Sequence, residues 1–196
     1  MPIIQNNAVR RQPTLITHRL VLRPFRDADV SQLTLLANDE RIARTTLLIP
    51  YPYQEETARE WIATHRGKFE RGEDVVFAVT IQEGEELVGA VGLSIVHEHK
   101  RGELGYWMGV PYWNQGFCTE AARAVVAYGF EELKLNKICA NHFVTNPASG
   151  RVMIRIGMTH EGVFRSHLEK WGEYIDMVCY GILQSEYVSG MSEKST

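Results

Sequence analysis

The stretch Val110-Pro-Tyr-Trp-Asn-Gln-Gly-Phe-Cys-Thr-Glu-Ala121 separates a strand-like run from a helix-like run. Residues 102–110, Gly-Glu-Leu-Gly-Tyr-Trp-Met-Gly-Val, have the bulky and aromatic content of a buried strand, which Pro111 would end. After Gly116 apolar residues recur at helical spacing, which predicts a helix over residues 117–134. A polar turn that contains a glycine therefore joins the two elements.

This turn has the features of an anion site. Backbone N–H groups in the first turn of a helix lack intrahelical partners and lie at the positive end of the helix dipole. Either Asn114 or Thr119 would cap the helix start, and Gly116 would let a phosphate approach the backbone closely. A single glycine is equally typical of an ordinary turn, so the phosphate interpretation depends on the rest of the chain.

The composition is that of an ordinary soluble globular domain. The chain has 196 residues, 44% hydrophobic and 23% charged, which is enough to form a core without metal or disulfide help. We expect a flexible N-terminal arm over 1–13, a single domain over 14–186 and a disordered polar tail over 187–196. A net charge of -3 argues against general nucleic-acid binding, and no apolar run is long enough to span a membrane.

Cysteine and histidine placement argues against a metal or disulfide framework. Cys118, Cys139 and Cys179 are odd in number and lack C-x-x-C spacing, which favours a reducing compartment. Because the N-terminus also lacks an apolar signal core, we expect a cytoplasmic protein. The segment His97-Glu98-His99 has no third ligand placed near it, so a polar hairpin turn is the preferred interpretation and no metal is expected.

Strand-like and helix-like patterns alternate along the chain and predict the fold class. Alternation and β-rich composition predict strands over 15–25, 75–81, 86–96, 102–110, 137–144, 158–168 and 173–184. Helical spacing predicts helices over 30–37, 55–71, 117–134 and 147–157. This order is typical of an α/β (α+β) domain with a mixed sheet.

Several motifs in this order resemble those of the GNAT superfamily of acetyl-CoA-dependent N-acetyltransferases. They are the turn Gln115–Ala121, the preceding Glu103-Leu-Gly-Tyr-Trp107, and the following Asn146-Pro-Ala-Ser149 and Ile156-Gly-Met158. The opening Thr17–Phe25 is similar to that of the RimJ/RimL branch, the ribosomal-protein N-terminal acetyltransferases. The likeness covers roughly residues 14–184, which is most of the chain.

The resemblance implies a fold and a cosubstrate. The fold is a mostly antiparallel seven-stranded sheet, splayed between its fourth and fifth strands and flanked by about four helices, with acetyl-CoA in the opening. Asn146 would hydrogen-bond the pantetheine arm, which would lie along residues 106–110 and contact Met108, Gly109 and Val110. Backbone N–H groups would hold the pyrophosphate over the turn formed by Gln115, Gly116, Phe117, Cys118 and Thr119.

Two positions of the turn depart from the usual family pattern. Trp113 stands where Arg or Gln is usual, and Cys118 stands where Gly or Ala is usual. Trp113 is a common variant in the RimJ/RimL branch, and Cys118 is only slightly bulkier than Ala. Neither change removes the backbone donors.

Acetyl transfer to an amine requires a base, and two glutamates are candidates. Glu103 is the first, acting through water, and burial beside Trp107 would tune it for this role. Its alternative role is a hydrogen bond within the sheet. Glu161 is the second candidate, because the resembling branch often has a Glu-Gly pair close to the acceptor, although it could equally be a solvated charge at a strand end.

The reaction also requires oxyanion donors and a proton for the departing thiolate. A backbone N–H near Met108 or Gly109 is the natural oxyanion donor. Ser149 is the candidate proton donor, since Met153 stands where many relatives have a tyrosine; its other role is to satisfy a backbone group in the first helical turn. Cys118 has no histidine partner and is not interpreted as a nucleophile.

The sequence therefore predicts transfer of an acetyl group from acetyl-CoA to a primary amine, most plausibly a protein N-terminal α-amine such as that of a ribosomal protein. The alternatives are a small amine (polyamine, amino acid or aminoglycoside) or a non-catalytic acyl-CoA-binding module. Trp171, Tyr174 and Asp176 border the acceptor or merely fix the last hairpin turn. An acidic pocket in region 39–60 would favour a polycation, and an open groove a peptide. We expect neither nucleic-acid nor membrane partners, and a homodimer is one of the oligomeric states left open.

Overall fold

The computed structural model describes residues 11–192, which are organised around one mixed sheet. Its strands are β1 (Leu15–Ile16), β2 (Leu20–Arg23), β3 (Asp74–Ile81), β4 (Leu87–Val96), β5 (Arg101–Met108), β6 (Lys137–Phe143), β7 (Thr159–Lys170) and β8 (Glu173–Leu183). The helices are α1 (Val30–Ala37), α2 (Glu40–Thr45), α3 (Glu55–Arg71), α4 (Phe117–Glu131), α5 (Pro147–Arg155) and α6 (Gln184–Ser192). The strand order is β1-β2-β3-β4-β5-β6-β8-β7, with β5 and β6 parallel and the other neighbours antiparallel. The predicted mixed, mostly antiparallel sheet is confirmed.

The described part of the chain has eight strands and six α-helices, where seven strands and about four helices are predicted. The predicted first strand is interrupted by a tight turn in which the Thr17 N–H donates to the Leu20 carbonyl at 2.9 Å. The chain therefore folds back, and β1 pairs with β2. The short helix α2 has six residues, too few for an apolar period to be seen, and begins where the Asp39 side chain accepts from the Arg41 N–H.

The chain ends differ in part from the predicted arm and tail. Residues 1–10 of the predicted arm and 193–196 of the predicted tail lie outside the described residues. Residues 187–192, predicted as tail, form the second half of α6. Tyr187 explains this difference, because its ring packs on Phe130 with centroids 5.1 Å apart and its hydroxyl donates to Glu131 at 2.7 Å.

The sheet opens between β5 and β6. These strands pair only at Arg101–Glu103 with Lys137–Cys139, whereas β5 pairs with β4 as far as Met108. A wedge therefore opens between the second halves of β5 and β6. The predicted splay between the strands at 102–110 and 137–144 is confirmed.

Different helices cover the two faces of the sheet. Leu104 and Ile138 lie in the apolar cluster that packs with α4 and α5, and we call this side the α4 face. Trp107 packs with the cluster of α1 and α3, on what we call the α3 face. Because successive strand residues point to opposite faces, Glu103 and Asn141 belong to the α3 face. No helix within residues 11–192 is long and apolar enough to cross a membrane.

Candidate active site

The turn before α4 has the open backbone that an anion site needs. Gly116 is the N-cap of α4 with φ +81°, no side chain caps the helix, and Asn114 also has positive φ at +61°. The predicted caps Asn114 and Thr119 are therefore wrong, since a residue in the left-handed conformation takes that place. The Glu120 N–H donates to the Gly116 carbonyl at 3.1 Å. The N–H groups of residues 117–119 precede that first intrahelical bond and lie where a ligand can accept from them.

Arg19, in the turn between β1 and β2, holds this turn from outside. Its backbone N–H and its Nε each donate to a Glu120 carboxylate oxygen at 2.8 Å, and Nη1 donates to the Gln115 carbonyl at 2.9 Å. The guanidinium carbon also lies 4.6 Å from the centre of the Phe117 ring. Thr17 adds a hydroxyl bond to Glu120 at 2.7 Å. Arg19 thus contacts Gln115, Phe117 and Glu120, in the turn and in the first turn of α4.

A shallow depression at this end of α4 carries positive charge. It is lined by Arg19, Gly116, Thr119, Glu120, Arg123 and Arg155. The Arg123 guanidinium donates to the Arg155 backbone carbonyl at 2.7 Å, which joins α4 to the end of α5. Three guanidinium groups beside one carboxylate and open N–H groups suit a ligand with several phosphate charges.

The edge of β5 that faces the wedge has one suitable oxyanion donor of the two predicted. The Gly109 N–H donates to the Val88 carbonyl at 2.8 Å, so it points toward β4. Because N–H directions alternate along an antiparallel strand, the Met108 N–H points the other way, toward the wedge. Its carbonyl accepts from the Trp113 indole at 2.7 Å. Trp113, the departure from the usual turn pattern, therefore ties the turn to the end of β5.

Ser149, at the start of α5, meets a tyrosine from β5. The Tyr106 hydroxyl donates to the Ser149 carbonyl at 2.9 Å, and the Ser149 hydroxyl donates to the Tyr106 oxygen at 3.0 Å. Burial raises the pKa of Tyr106 above its ordinary value, so the phenol keeps its proton. Asn146 is the N-cap of α5, as its predicted position before Pro147 requires, and its side chain accepts from the Ser149 N–H. The two predicted residues, Asn146 and Ser149, lie together at the wedge.

Glu103 lies on the α3 face and is exposed, so its predicted burial beside Trp107 is wrong. It is the third residue of β5, directly before the wedge opens, where no helix covers it. The Asn141 side-chain amide donates to one of its carboxylate oxygens at 3.1 Å. The predicted hydrogen bond within the sheet is therefore present.

Glu161 reaches the same face through a bulge in β7. The register between β7 and β8 shifts between His160 and Gly162, which makes Glu161 the extra residue. Its carboxylate lies over Gly181, where an added Cβ would be 2.6 Å from a carboxylate oxygen. The Lys137 ammonium donates to both oxygens, at 2.6 and 2.8 Å. Glu161 is thus a paired carboxylate, whereas Glu103 bonds a neutral amide and has no ion pair within residues 11–192.

Comparison with known proteins adds an independent finding to this geometry. The family model described as acetyltransferase (GNAT) domain matches residues 19–159. The chain belongs to the GNAT acetyltransferase family. YoaA, an uncharacterized N-acetyltransferase of Bacillus subtilis (strain 168), is 30% identical over 173 residues, covering 88% of this chain and 97% of YoaA. YdaF of the same strain, described as a candidate ribosomal N-acetyltransferase, is 30% identical over 175 residues, or 88% of this chain and 95% of YdaF.

A solved structure agrees with the GNAT fold of the model. RimL, a ribosomal L7/L12 α-N-protein acetyltransferase in complex with coenzyme A, has a TM-score of 0.81 at 20% identity, covering 87% of this chain and 98% of RimL. The chain is therefore an acetyl-CoA-dependent N-acetyltransferase whose relatives and structural neighbours include members of the RimJ/RimL branch. The recognition made from the ordered motifs is confirmed.

Of the three cysteines of this GNAT domain, Cys139 is buried and Cys118 and Cys179 are partly buried. Burial raises the pKa of Cys118 to about 12, which suppresses the thiolate a nucleophile would need. Burial, together with nearby carboxylates, also raises the pKa of Cys139 and Cys179. In residues 11–192 no group of three or more His, Cys, Asp or Glu side chains is placed to hold a metal ion.

Two surface segments of the GNAT domain are joined to each other by Lys170. The first is loop 46–53, which follows α1 and α2; Leu36 of α1 packs so closely on Gly109 that a Cβ there would lie 2.7 Å away. The second is the β7–β8 hairpin, attached to β6 through β8. Lys170 joins them by donating to the Thr46 and Leu47 carbonyls at 2.5 and 3.4 Å. We call residues 46–53 and 170–174 the acceptor mouth, because we propose below that the acceptor binds there.

The acceptor mouth exposes large apolar side chains. Leu48 is 88% exposed and Tyr174 is 71% exposed, and Leu47, Tyr51 and Trp171 are about half exposed. Arg44 and Lys170 both lie over the Trp171 ring, at 5.3 and 5.0 Å from its centre. Asp176 serves the hairpin itself, because its carboxylate accepts from the Ser166 N–H at 2.7 Å. Trp171 and Tyr174 are thus exposed near the hairpin turn, while Asp176 fixes the hairpin.

Some residues of the site were not predicted. Arg19 and Glu120 are 101 positions apart, and no sequence pattern indicates that they form a pair. For Tyr106 only a backbone contact with the pantetheine arm was predicted. The Gly-Tyr-Trp run that contains it was the only sequence feature that could have drawn attention to its side chain. For Asn141 and Lys137 the sequence indicates only that they lie on the same face of a strand, and nothing in it indicates a role in the site.

Proposed function

We propose that this enzyme acetylates protein N-terminal α-amines. The main support is the acceptor mouth, whose exposed side chains are largely apolar and aromatic and do not form a cluster of unpaired carboxylates. An α-amine at the end of a peptide brings neighbouring side chains that can pack on such a surface, whereas a polyamine offers only repeated ammonium groups. The apolar mouth therefore suits a peptide end better than a polycation.

Charges near the mouth support the same choice. In region 39–60, three of the five carboxylates are paired, Asp39 with Arg41, Glu40 with Arg44 and Glu55 with Arg59, whereas Glu56 and Glu60 are exposed without an ion pair among the described residues. A polyamine site would need several carboxylates free to face the ligand. Relatives add to this support, since the description of YdaF concerns ribosomal N-acetylation and that of RimL an α-N-protein acetyltransferase.

Acetyl-CoA fits the residues on the α4 side of the wedge. The first-turn N–H groups from Phe117 to Thr119, with Arg19 beside Gly116, supply donors and charge for a diphosphate. Asn146 and the edge of β5 from Tyr106 to Met108 supply hydrogen-bonding groups for the amide-containing arm. When bound, acetyl-CoA supplies the thioester that carries the acetyl group.

Each candidate catalytic group then has a role set by its surroundings. Glu103 accepts the amine proton through water, because its exposed carboxylate faces the α3 side and has no cationic partner among the described residues. The Met108 N–H stabilises negative charge at the wedge. Ser149 is the candidate donor of a proton to the departing thiolate, and Tyr106 holds it in place, because the Tyr106 hydroxyl donates to the Ser149 carbonyl and accepts from the Ser149 hydroxyl. Glu161 contributes charge to the acceptor side while Lys137 keeps it paired.

An acceptor panel tests the proposal. The panel contains a lysine-free peptide with a free α-amine, the same peptide with a blocked α-amine and one added lysine, spermidine, a free amino acid and an aminoglycoside. We expect acetylation of the free α-amine, located by mass spectrometry, with a kcat/KM that exceeds those of the small amines. Acetylation of spermidine or of the aminoglycoside alone would contradict a peptide acceptor, and coenzyme binding without any transfer would favour a binding module.

A variant of the acceptor mouth links the result to the structure. Leu48→Ser removes the most exposed apolar side chain of the mouth, and we expect the KM for the peptide to rise about fivefold with little change in kcat. Ile16→Ser is the matched control, because Ile16 is also strongly exposed but lies on β1 at the far edge of the sheet. An equal response of both variants would remove the mouth from the proposal.

A further inference from the structure

The β1–β2 turn is joined to the start of α4 more tightly than a surface turn requires. Thr17 and Arg19 together place four hydrogen bonds on Glu120 and Gln115, all between 2.7 and 2.9 Å. The Arg19 guanidinium also covers the Phe117 ring. One partner, Gln115, lies in the turn before α4, and the other two, Phe117 and Glu120, lie in the first turn of α4.

Glu120 explains why a cation is needed at this position. It lies in the first turn of α4, beside the N–H groups proposed to hold the coenzyme diphosphate. Burial alone would raise the pKa of Glu120, but the bonds from Thr17 and Arg19 outweigh it, and the net pKa lies below its ordinary value. The carboxylate is therefore negative at neutral pH and would repel a diphosphate unless a cation neutralised it.

The remaining nitrogen of Arg19 points to the same place. Nη2 lies 3.3 Å from the position that a Cβ on Gly116 would occupy. Nε and Nη1 are bonded to Glu120 and Gln115, while Nη2 has no hydrogen-bond acceptor within residues 11–192. The guanidinium therefore has two nitrogens on the protein and one directed at the open side of the turn, where Arg123 and Arg155 also lie.

We propose that Arg19 is a positioning residue for the coenzyme: it neutralises Glu120, fixes the Gln115 carbonyl and directs Nη2 toward the diphosphate. This inference rests on the proposed binding of acetyl-CoA at the turn. Lysine cannot replace arginine here, because a single ammonium cannot bond Glu120 and Gln115 in a fixed fork and still present a donor to the ligand. Arg19 thus acts on coenzyme affinity and not on the acetyl transfer step.

A mutant cycle tests the inference by calorimetric titration of CoA and of 3′-dephospho-CoA. Arg19→Gln leaves Glu120 without its cation, and we expect the Kd to rise about tenfold or more for both ligands, because both contain the diphosphate. In the double variant Arg19→Gln/Glu120→Gln the repelling charge is absent, so we expect part of the affinity to return. Arg19→Lys should fall between Arg19→Gln and the unmutated enzyme.

Kinetics and a matched control separate a positioning role from a structural one. Arg19→Gln should raise the KM for acetyl-CoA with kcat changed less than twofold. Arg66→Gln is the control, since Arg66 forms an exposed pair with Glu70 on α3, and its Kd for CoA should equal that of the unmutated enzyme. Thermal unfolding without ligand checks that each variant is folded, and Arg19→Lys, which keeps the charge, remains available where Arg19→Gln does not fold.

Several outcomes would overturn the inference. A Kd for Arg19→Gln within twofold of the unmutated enzyme would do so. Equal losses in the single and double variants would exclude neutralisation of Glu120, and a loss confined to CoA would mean that Arg19 serves the 3′-phosphate instead. If the unmutated enzyme failed to bind acetyl-CoA, the proposed function would fall as well; if it bound and Arg19→Gln matched it, only the inference would fall.

Discussion

The turn before α4 and the acceptor mouth are built in opposite ways. At the turn, the groups that we propose face the diphosphate are mainly backbone N–H groups, with Arg19 Nη2 beside them, and the other contacts of Arg19 and Trp113 hold that backbone in place. At the mouth, the exposed groups are side chains, among them Leu48 and Tyr174. The turn therefore exposes mainly backbone groups, whereas the acceptor mouth exposes side chains.

This difference explains what each region can tell about function. A backbone site tolerates substitution as long as its conformation survives, so the turn keeps its donors although Trp113 and Cys118 depart from the family pattern. A side-chain surface changes with every substitution, so relatives that share the coenzyme can differ in acceptor. The coenzyme could therefore be identified from motifs, whereas the acceptor rests on the chemistry of the mouth.

The strongest test of the role of the turn is to change its backbone conformation. Gly116→Asp puts a side chain at φ +81° and a negative charge beside the diphosphate position. We expect the Kd for acetyl-CoA to rise more than about 100-fold, since strain and charge repulsion add. The stabilisation of the enzyme by acetyl-CoA in thermal unfolding should be lost with it.

A second left-handed glycine provides the control for that variant. Gly84, in the turn between β3 and β4, has φ +87° and open space where its Cβ would be. Gly84→Asp should lower the free energy of unfolding to a similar degree while leaving acetyl-CoA affinity unchanged. Equal affinity losses in both variants would mean that the effect is general destabilisation, and the turn would lose its assigned role.

The parts of the fold that the sequence predicted are those with local signals. Helix α3 was predicted over 55–71 and occupies those residues, because its apolar stripe is long and Gly72 ends it at φ +74°. The splay between β5 and β6 came only from the family resemblance. Pairings across long separations, such as Arg19 with Glu120, have no local signal at all, since a charge on an amphipathic segment is usually solvated.

The acceptor side can be tested by comparing its two carboxylates. Glu103→Gln should lower kcat about 100-fold, because Glu103 is the carboxylate without a cationic partner and therefore the one free to accept a proton. Glu161→Gln should lower kcat less than about fivefold, since Lys137 already holds that carboxylate in an ion pair. Coenzyme Kd should stay unchanged in both variants, because both residues are on the α3 face.

The reverse order of these effects would reassign the base. If Glu161→Gln lost more activity than Glu103→Gln, the bulge in β7 would be the feature that places the catalytic carboxylate. The sequence ranked Glu103 above Glu161 only narrowly, because both are glutamates followed by small or apolar neighbours. The ranking depends on partners, Asn141 for one and Lys137 for the other, that lie on another strand.

The smallest expected effect concerns the helical layer of the α3 face. His65 of α3 is 7% exposed, packs against Phe25 and Trp61, and has no hydrogen-bond partner on either ring nitrogen within the described residues. Burial, with a smaller contribution from Lys68, lowers its pKa from 6.5 to about 4. The imidazole is therefore neutral at neutral pH, and burial makes its protonation less favourable in the folded chain than in the unfolded chain.

The sign of the pH dependence follows from this pKa. Between about pH 6.5 and 4 the unfolded chain binds a proton at His65 that the folded chain does not, so stability falls as pH falls through this range. At pH 5 the loss should be about 2 kcal/mol relative to pH 7.5, and a few kcal/mol below pH 4.

His65→Phe should remove this part of the pH dependence, while His99→Phe, at an exposed position, should keep it. Urea unfolding at pH 5 and pH 7.5 measures the difference. If His65→Phe lost as much stability between those pH values as the unmutated enzyme, the acid sensitivity would lie elsewhere and not in the layer behind the acceptor side.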